Sequence, residues 1–424
     1  MFTVLIFSSY IFGQQNSIAD KLGEAAYYLQ NNQPDAAEKI LRDITRASPA
    51  NVDAHNLLGI VLDQKGISAE AEREYRLALK LDPNAVSPLA NLGVLLAKSK
   101  RETEAIKLFE TVLQLKPGHQ QATVNLGLLY YSAAKYEKAV VFLEKAVRIQ
   151  PADPELLLDL GSALLATKKY DDAAKYLTAA AEIAPENAEP IYHLGLLAYD
   201  RNNDESARSY FEKAIELNPK HIDANFMLGE LLAKHQRYGD ARQFYEKAVQ
   251  LDSTRPVYYI RLGGMYIYMS DFDSAFKIFQ KASEHFPNVP EIRYFLALSA
   301  RGKGDNELAV EEVKRSLALK ETADSNALLG AILSDRNQTS EAEKYLRKAI
   351  LLNPTHFNSN HDLGQLLVRQ RKFADALAFL KQASALMPDN PDVHYELFLA
   401  HSRLNQKADA NRELVIFKQL SVKK

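Results

Sequence analysis

Ten histidines, 54 carboxylates and 21 tyrosines could supply metal ligands, general acids and general bases if the chain gathered them at working spacings. It does not. A helical zinc site needs two histidines four residues apart so that both rings leave one face, and neither H-E-x-x-H nor any other such pair occurs. His55, His193, His361 and His394 are far apart in the chain, so a scattered surface or groove role is expected of them. Gly302 and Gly304 are followed by no third glycine that would let the backbone approach a pyrophosphate, and no phosphate loop or nucleophile elbow is present. The absence of cysteine removes disulfides, thiolate nucleophiles and zinc–cysteine clusters. No enzyme, metal site or cofactor is expected.

Hydrophobic residues make up 47% of the chain and charged residues 25%, values that favour a folded chain with a large core. The composition is uniform from end to end, with no linker-like break. A net charge of −2 provides no broad basic field for a phosphate backbone, so a nucleic-acid partner is not expected.

Met1 to Phe12 is a short, uncharged apolar run, well under the roughly 20 residues that a spanning helix needs. Residues 1–17 read as a signal peptide cut near Gly13, which implies export to the periplasm or the exterior and no membrane span in the mature chain. The run lacks the usual Lys or Arg before it. The competing readings are a misplaced start or a hydrophobic cap on the first helix, either of which would leave the protein cytoplasmic.

The elements that position every other side chain come from a repeat. Leu-Gly recurs from Leu58-Gly59 to Leu363-Gly364, with successive glycines 34 residues apart from Gly59 to Gly263. Ala297 takes the glycine's place in the next unit, and one residue is then missing before Gly330. Twelve residues after each of these positions stands an alanine, from Ala71 to Ala376. Seven residues further comes a second small residue in most units, such as Ala78, Ala146 and Ala214, with a large side chain such as Tyr75, Leu143 or Phe211 between. Small, large and small at i, i+4 and i+7 mark one face of a helix. Pro49, Pro83, Pro117 and their successors end the units, because proline lacks the N–H that would continue the helix. Breakers such as Gln64-Lys65-Gly66 mark a turn inside each unit, so each unit reads helix, turn, helix, loop.

Glycine inside a helix costs about 1 kcal/mol relative to alanine, and close approach of another helix is the compensating reason. The Leu-Gly pair, the two alanines and the terminal proline at this period closely resemble the tetratricopeptide repeat, from about residue 18 to the C-terminus. The family's tryptophan position is filled by other residues throughout. The resemblance implies an all-α, right-handed superhelical solenoid of antiparallel helix pairs with a concave groove. Eleven repeats are expected over residues 18–390. A degenerate twelfth over 391–424, with Phe398 at the glycine position and Phe417 at the second alanine, would form a terminal cap.

Two groove columns follow from the resemblance. Some arrays of this family carry a ladder of asparagines before Leu-Gly, here reduced to Asn91 and Asn125 and followed by Asp159, His193, Met227 and Arg261. The basic clamp that grips a peptide carboxylate in other members is not matched, since Asn56, Ala90, Val124 and Leu158 fill its positions. From Tyr192 onward that column turns aromatic or apolar, through Phe226, Ile260 and Tyr294, with Tyr199 and Tyr268 two turns along on about the same face. These residues, with Asn91 and Asn125, are the candidate peptide-binding groove, against the alternative that the rings complete packing between helices. A third column, Asp53, Glu155, Glu189, Asp223, Glu291, Asp324 and Asp392, opens the first helices with acids. The helix dipole accounts for it, with attraction of a basic ligand as the alternative. The expected function is a non-enzymatic scaffold that binds a protein or peptide and assembles a multi-protein complex. The alternative is an accessory subunit of an envelope, export or polysaccharide-assembly enzyme system.

Overall fold

The computed structural model describes residues 18–422, which form twenty-four α-helices, from residues 18–30 to Lys407–Ser421, and no strand. The signal-peptide reading of residues 1–17 lies outside the described residues. The helices come in twelve pairs, each a first helix such as Val52–Gln64 and a second such as Ser68–Leu81. The pairs belong to two compact units, one ending at Pro219 and the other beginning at Lys220.

The recurring glycine makes room for the partner helix of its own repeat. A methyl group on Gly59 would lie 2.5 Å from the ring of Tyr75, and one on Gly161 would lie 2.6 Å from Leu177 Cγ. Burying a large side chain in this slot is worth roughly 1.5–3 kcal/mol, which exceeds the helical cost of the glycine. Ala71 and Ala78 flank Tyr75 one turn either way and, like most of their counterparts along the chain, are 0% exposed. A bulkier residue at either position would push the two helices apart.

Each pair turns through one residue in the left-handed region, among them Gly66 (φ 76°), Ala134 (φ 54°) and Arg371 (φ 62°). At one such turn the Lys100 N–H reaches the Ala97 carbonyl at 3.0 Å and the Arg101 N–H reaches the Leu96 carbonyl at 2.9 Å, satisfying carbonyls the helix leaves open. Between repeats a four-residue loop usually carries the proline. Its last residue caps the next helix in most repeats, as where Asn51 Oδ1 accepts from the Ala54 N–H at 2.8 Å. The residue missing before Gly330 was lost from this loop. Only Lys320, Glu321 and Thr322 separate Leu319 from Ala323, and Thr322 Oγ1 caps the next helix by accepting from the Ser325 N–H at 3.1 Å.

In each unit the second helix packs on its own first helix and on the next one, while most first helices of successive repeats also touch one another. Within each unit the first helices thus share one face. In the second unit, buried side chains from Ala297 through Leu346 to Ala400 join in a single cluster, the continuous core expected of stacked repeats.

Candidate peptide-binding face

The aromatic column lies on first helices of both units, and its members are half-buried. In the first unit the Tyr192 ring packs 6.0 Å from Phe211 on the second helix of its repeat. In the second unit Phe226 lies 5.8 Å from Tyr245 and 4.9 Å from Tyr258, so part of each ring is core and part is open. Ile260 packs against the cluster of Tyr259, Ala282 and Ile292. Tyr294 meets Phe295 edge-on at 5.1 Å and lines an open cleft of about 470 Å³ with Lys320 and Asp324. Burial pushes its phenol up to about 12, with Asp324 adding to the effect.

The two tyrosines set further along their helices differ from each other. Tyr199 is half-buried, whereas Tyr268 is 64% exposed and its ring lies 4.1 Å from that of Tyr238. Tyr238 was not legible as a partner because it opens the second helix of the preceding repeat. Asn91 Nδ2 donates to Asn56 Oδ1 at 2.9 Å, a bond between successive repeats that joins two columns read separately from the sequence. Asn125 Oδ1 accepts from Gln121 at 3.3 Å, and its Nδ2 is buried without a partner.

The histidines depart most from expectation. His55 and His394, expected on a surface or in the groove, are 7% and 4% exposed. His55 sets Nδ1 against Glu74 at 2.6 Å and Nε2 against the Pro49 carbonyl at 3.0 Å. His394 repeats the arrangement with Glu413 at 2.6 Å and the Pro388 carbonyl at 2.8 Å. Arg293 does the same with Glu312 at 3.0 Å and the Pro287 carbonyl at 3.4 Å. These side chains bolt the loop before a repeat to that repeat's second helix, which is a structural role. His119, His221 and His356 are helix caps whose Nδ1 accepts a backbone N–H, each at 3.2 Å. The acidic column is partly paired rather than serving the helix dipole alone: Asp223 takes Arg255 at 2.9 Å, and Asp324 faces His356 at 3.0 Å.

Repeat-family models agree with this geometry over nearly the whole described chain. Three tetratricopeptide-repeat models match residues 22–86, 192–256 and 265–326, then 96–158, 131–198 and 367–415, and finally 323–356. The chain belongs to the tetratricopeptide-repeat family. It is 27% identical over 157 residues to BBSome complex member BBS4 of Bos taurus, covering 36% of this chain and 30% of that protein. It is 39% identical over 64 residues to the DnaJ homolog subfamily C member 7 homolog of Schizosaccharomyces pombe, covering 15% of this chain and 13% of that one. The chain therefore spans about a third or less of these relatives. Among solved structures, yeast Tom70 aligns over 93% of this chain and 97% of its own at 17% identity, with a TM-score of 0.41.

Tetratricopeptide repeats mediate protein interactions. No group of three or more His, Asp or Glu among the described residues could hold a metal ion. No helix among them is long and apolar enough to cross a membrane.

Proposed function

We propose that this tetratricopeptide array is a scaffold that binds a protein or peptide partner through side chains of its first helices and so assembles a larger complex. The observation that carries the reading is the run of half-buried rings and apolar side chains at one repeat position. Tyr192 stands there in the first unit, and Phe226, Ile260 and Tyr294 follow in the second. Each packs on its own repeat while keeping one side open, which gives a rigid contact surface at low entropic cost. Asn91, Asn125, Tyr199 and Tyr268 extend it. The partly matching BBS4 is by its name a member of a complex, which agrees with a role in assembly.

Pull-down from native extract with the wild-type chain, then with Tyr192→Ala, Phe226→Ala and Tyr294→Ala combined, tests this. Loss of the captured partner with helical content retained by circular dichroism is expected. Unchanged capture by a folded triple variant would reject the aromatic column.

A further inference from the structure

On the first-helix face of the first unit, we propose that Asp159, with the Tyr131 phenol and the buried Ser162 hydroxyl beside it, receives the guanidinium of an arginine from an extended partner segment. The inference deepens the reading above by naming the ligand chemistry, and it rests on that face being where a peptide lies.

The first observation is a run of first helices whose formal charges are all acidic. The three consecutive first helices Gln120–Ser132, Pro154–Ala166 and Ala188–Asp200 contain no Lys or Arg, and their charged residues are Glu155, Asp159, Glu189 and Asp200. Asp159 is half-buried, and among the described residues no side chain gives its carboxylate a hydrogen bond or an ion pair. Burial, then Glu155 and Asp153, push its carboxyl up to about 6, so it is still ionised at neutral pH. Several other first-helix acids are matched from an adjacent repeat. In the second unit Arg261, at the repeat position of Asp159, donates to Glu230 at 2.9 Å, and Arg301 donates to Asp335 at 2.8 Å. Even in the first unit Lys98 reaches Asp63 at 3.0 Å. Among the described residues, exposed first-helix acids such as Asp53 and Glu155 also lack a base, but Asp159 is half-buried and its pairing is left open.

The second observation is independent of charge. Ser162, one helical turn beyond Asp159, is only 5% exposed, and its Oγ is buried without a hydrogen bond of normal geometry, the Tyr131 hydroxyl lying beside it. Ser162, Tyr131, Tyr136, His193, Asp200 and the exposed Lys168 line an open cleft of about 300 Å³, and Asp159, one turn before Ser162, acts on the Tyr131 phenol from beside it. The Tyr131 and Tyr136 rings lie 5.9 Å apart. The Asp159 carboxylate and the Ser162 and Tyr131 oxygens can all accept hydrogen bonds, and the two rings present electron-rich faces. A planar cation with five N–H donors that also stacks on aromatic rings satisfies both features, and arginine does this better than the point charge of lysine.

The test uses the full chain and a random-peptide phage library, followed by isothermal titration of the peptide that is selected. The expected result is enrichment of arginine at one fixed position. Replacing that arginine by citrulline should weaken binding about tenfold, as should Asp159→Asn, the scale of one charge-assisted hydrogen bond. Asp53→Asn, which removes the same charge from another first helix, should bind as wild type does, and thermal melts should show both variants folded. Selection of no peptide, of acidic peptides, or of arginine peptides that bind Asp159→Asn undiminished would overturn the inference. Peptides lost by the Tyr192/Phe226/Tyr294 triple variant but indifferent to Asp159→Asn would overturn it while leaving the aromatic column standing. Dependence on Asp159 that survives the triple variant would support the Asp159 site and count against the column.

Discussion

A methyl group added to Gly330 would sit 2.7 Å from Cγ of Leu346, the large residue on the second helix of the same repeat. The preceding repeat carries the compensated version of this pair. There Ala297 fills the glycine position, Val313 stands where Leu346 stands, and both are fully buried. Added volume on one helix is balanced by removed volume on the other. Gly330→Ala should therefore destabilise the protein by roughly 1–3 kcal/mol through overpacking, and Leu346→Val alone by about 1 kcal/mol through lost packing. The double variant should recover most of the loss, because it rebuilds the natural Ala297–Val313 pair. Urea denaturation followed by circular dichroism measures all three. Simple additivity of the two losses would refute the volume-exchange account.

The left-handed turn residues offer a stabilising change. Ala134 holds a φ of 54° and Arg371 one of 62°, conformations in which Cβ crowds the following carbonyl. Gly66 and Gly304 fill the same turn position without that penalty. Ala134→Gly and Arg371→Gly should each raise stability by roughly 0.5–1 kcal/mol, the relief of strain exceeding the extra freedom glycine gains in the unfolded chain. A lower thermal midpoint for both variants would contradict this.

The cation clamps make a prediction about pairs. Glu312 is 3% exposed and accepts from Arg293 at 3.0 Å, so Glu312→Leu alone strands a guanidinium whose side chain is 15% exposed. That variant should cost roughly 2–4 kcal/mol. Adding Arg293→Leu should restore much of it, because Leu89 with Leu108 already fills the equivalent pair of positions in another repeat. A double variant weaker than Glu312→Leu would mean that the bond to the Pro287 carbonyl outweighs the stranded charge.

Those clamps also mark what could be read before the structure. The helix pairs were legible because the Gly59 slot, the Ala71 and Ala78 flanks and the Pro83 stop obey one steric rule repeated along the chain. His55 and His394 were misread because a histidine taken alone says nothing of its neighbours. A signal was present, since the residue nineteen positions on is Glu74, Glu312 or Glu413 where the first is His55, Arg293 or His394, and is apolar or aromatic elsewhere, as at Leu108, Phe142 and Tyr345. The openness of Asp159 was not readable, because it depends on which neighbouring repeat sends a base across, and the sequence spaces Arg261 and Lys98 without saying whom they reach. The division of each ring at Tyr192 and Phe226 between core and open face was equally a matter of packing geometry.

Asp159 finally ties the open face to stability. Its carboxyl is pushed up to about 6 by burial, then by Glu155 and Asp153, from an unfolded value of about 3.9. With the folded value the higher one, the native chain binds more protons across this window, so stability is greatest at the acidic end and falls as pH rises through it. The ionised group then remains a net cost at neutral pH. Asp159→Asn keeps the shape and removes the charge, so it should be more stable than wild type by roughly 1–2 kcal/mol above about pH 7, the figure reduced for partial solvent access. The difference should shrink toward zero near pH 4, where wild-type Asp159 is protonated in the native chain. Paired urea titrations of the two proteins across that range measure it. A difference that did not change with pH would mean that the gain comes from packing, and a less stable variant would mean that the carboxylate has a partner within the fold.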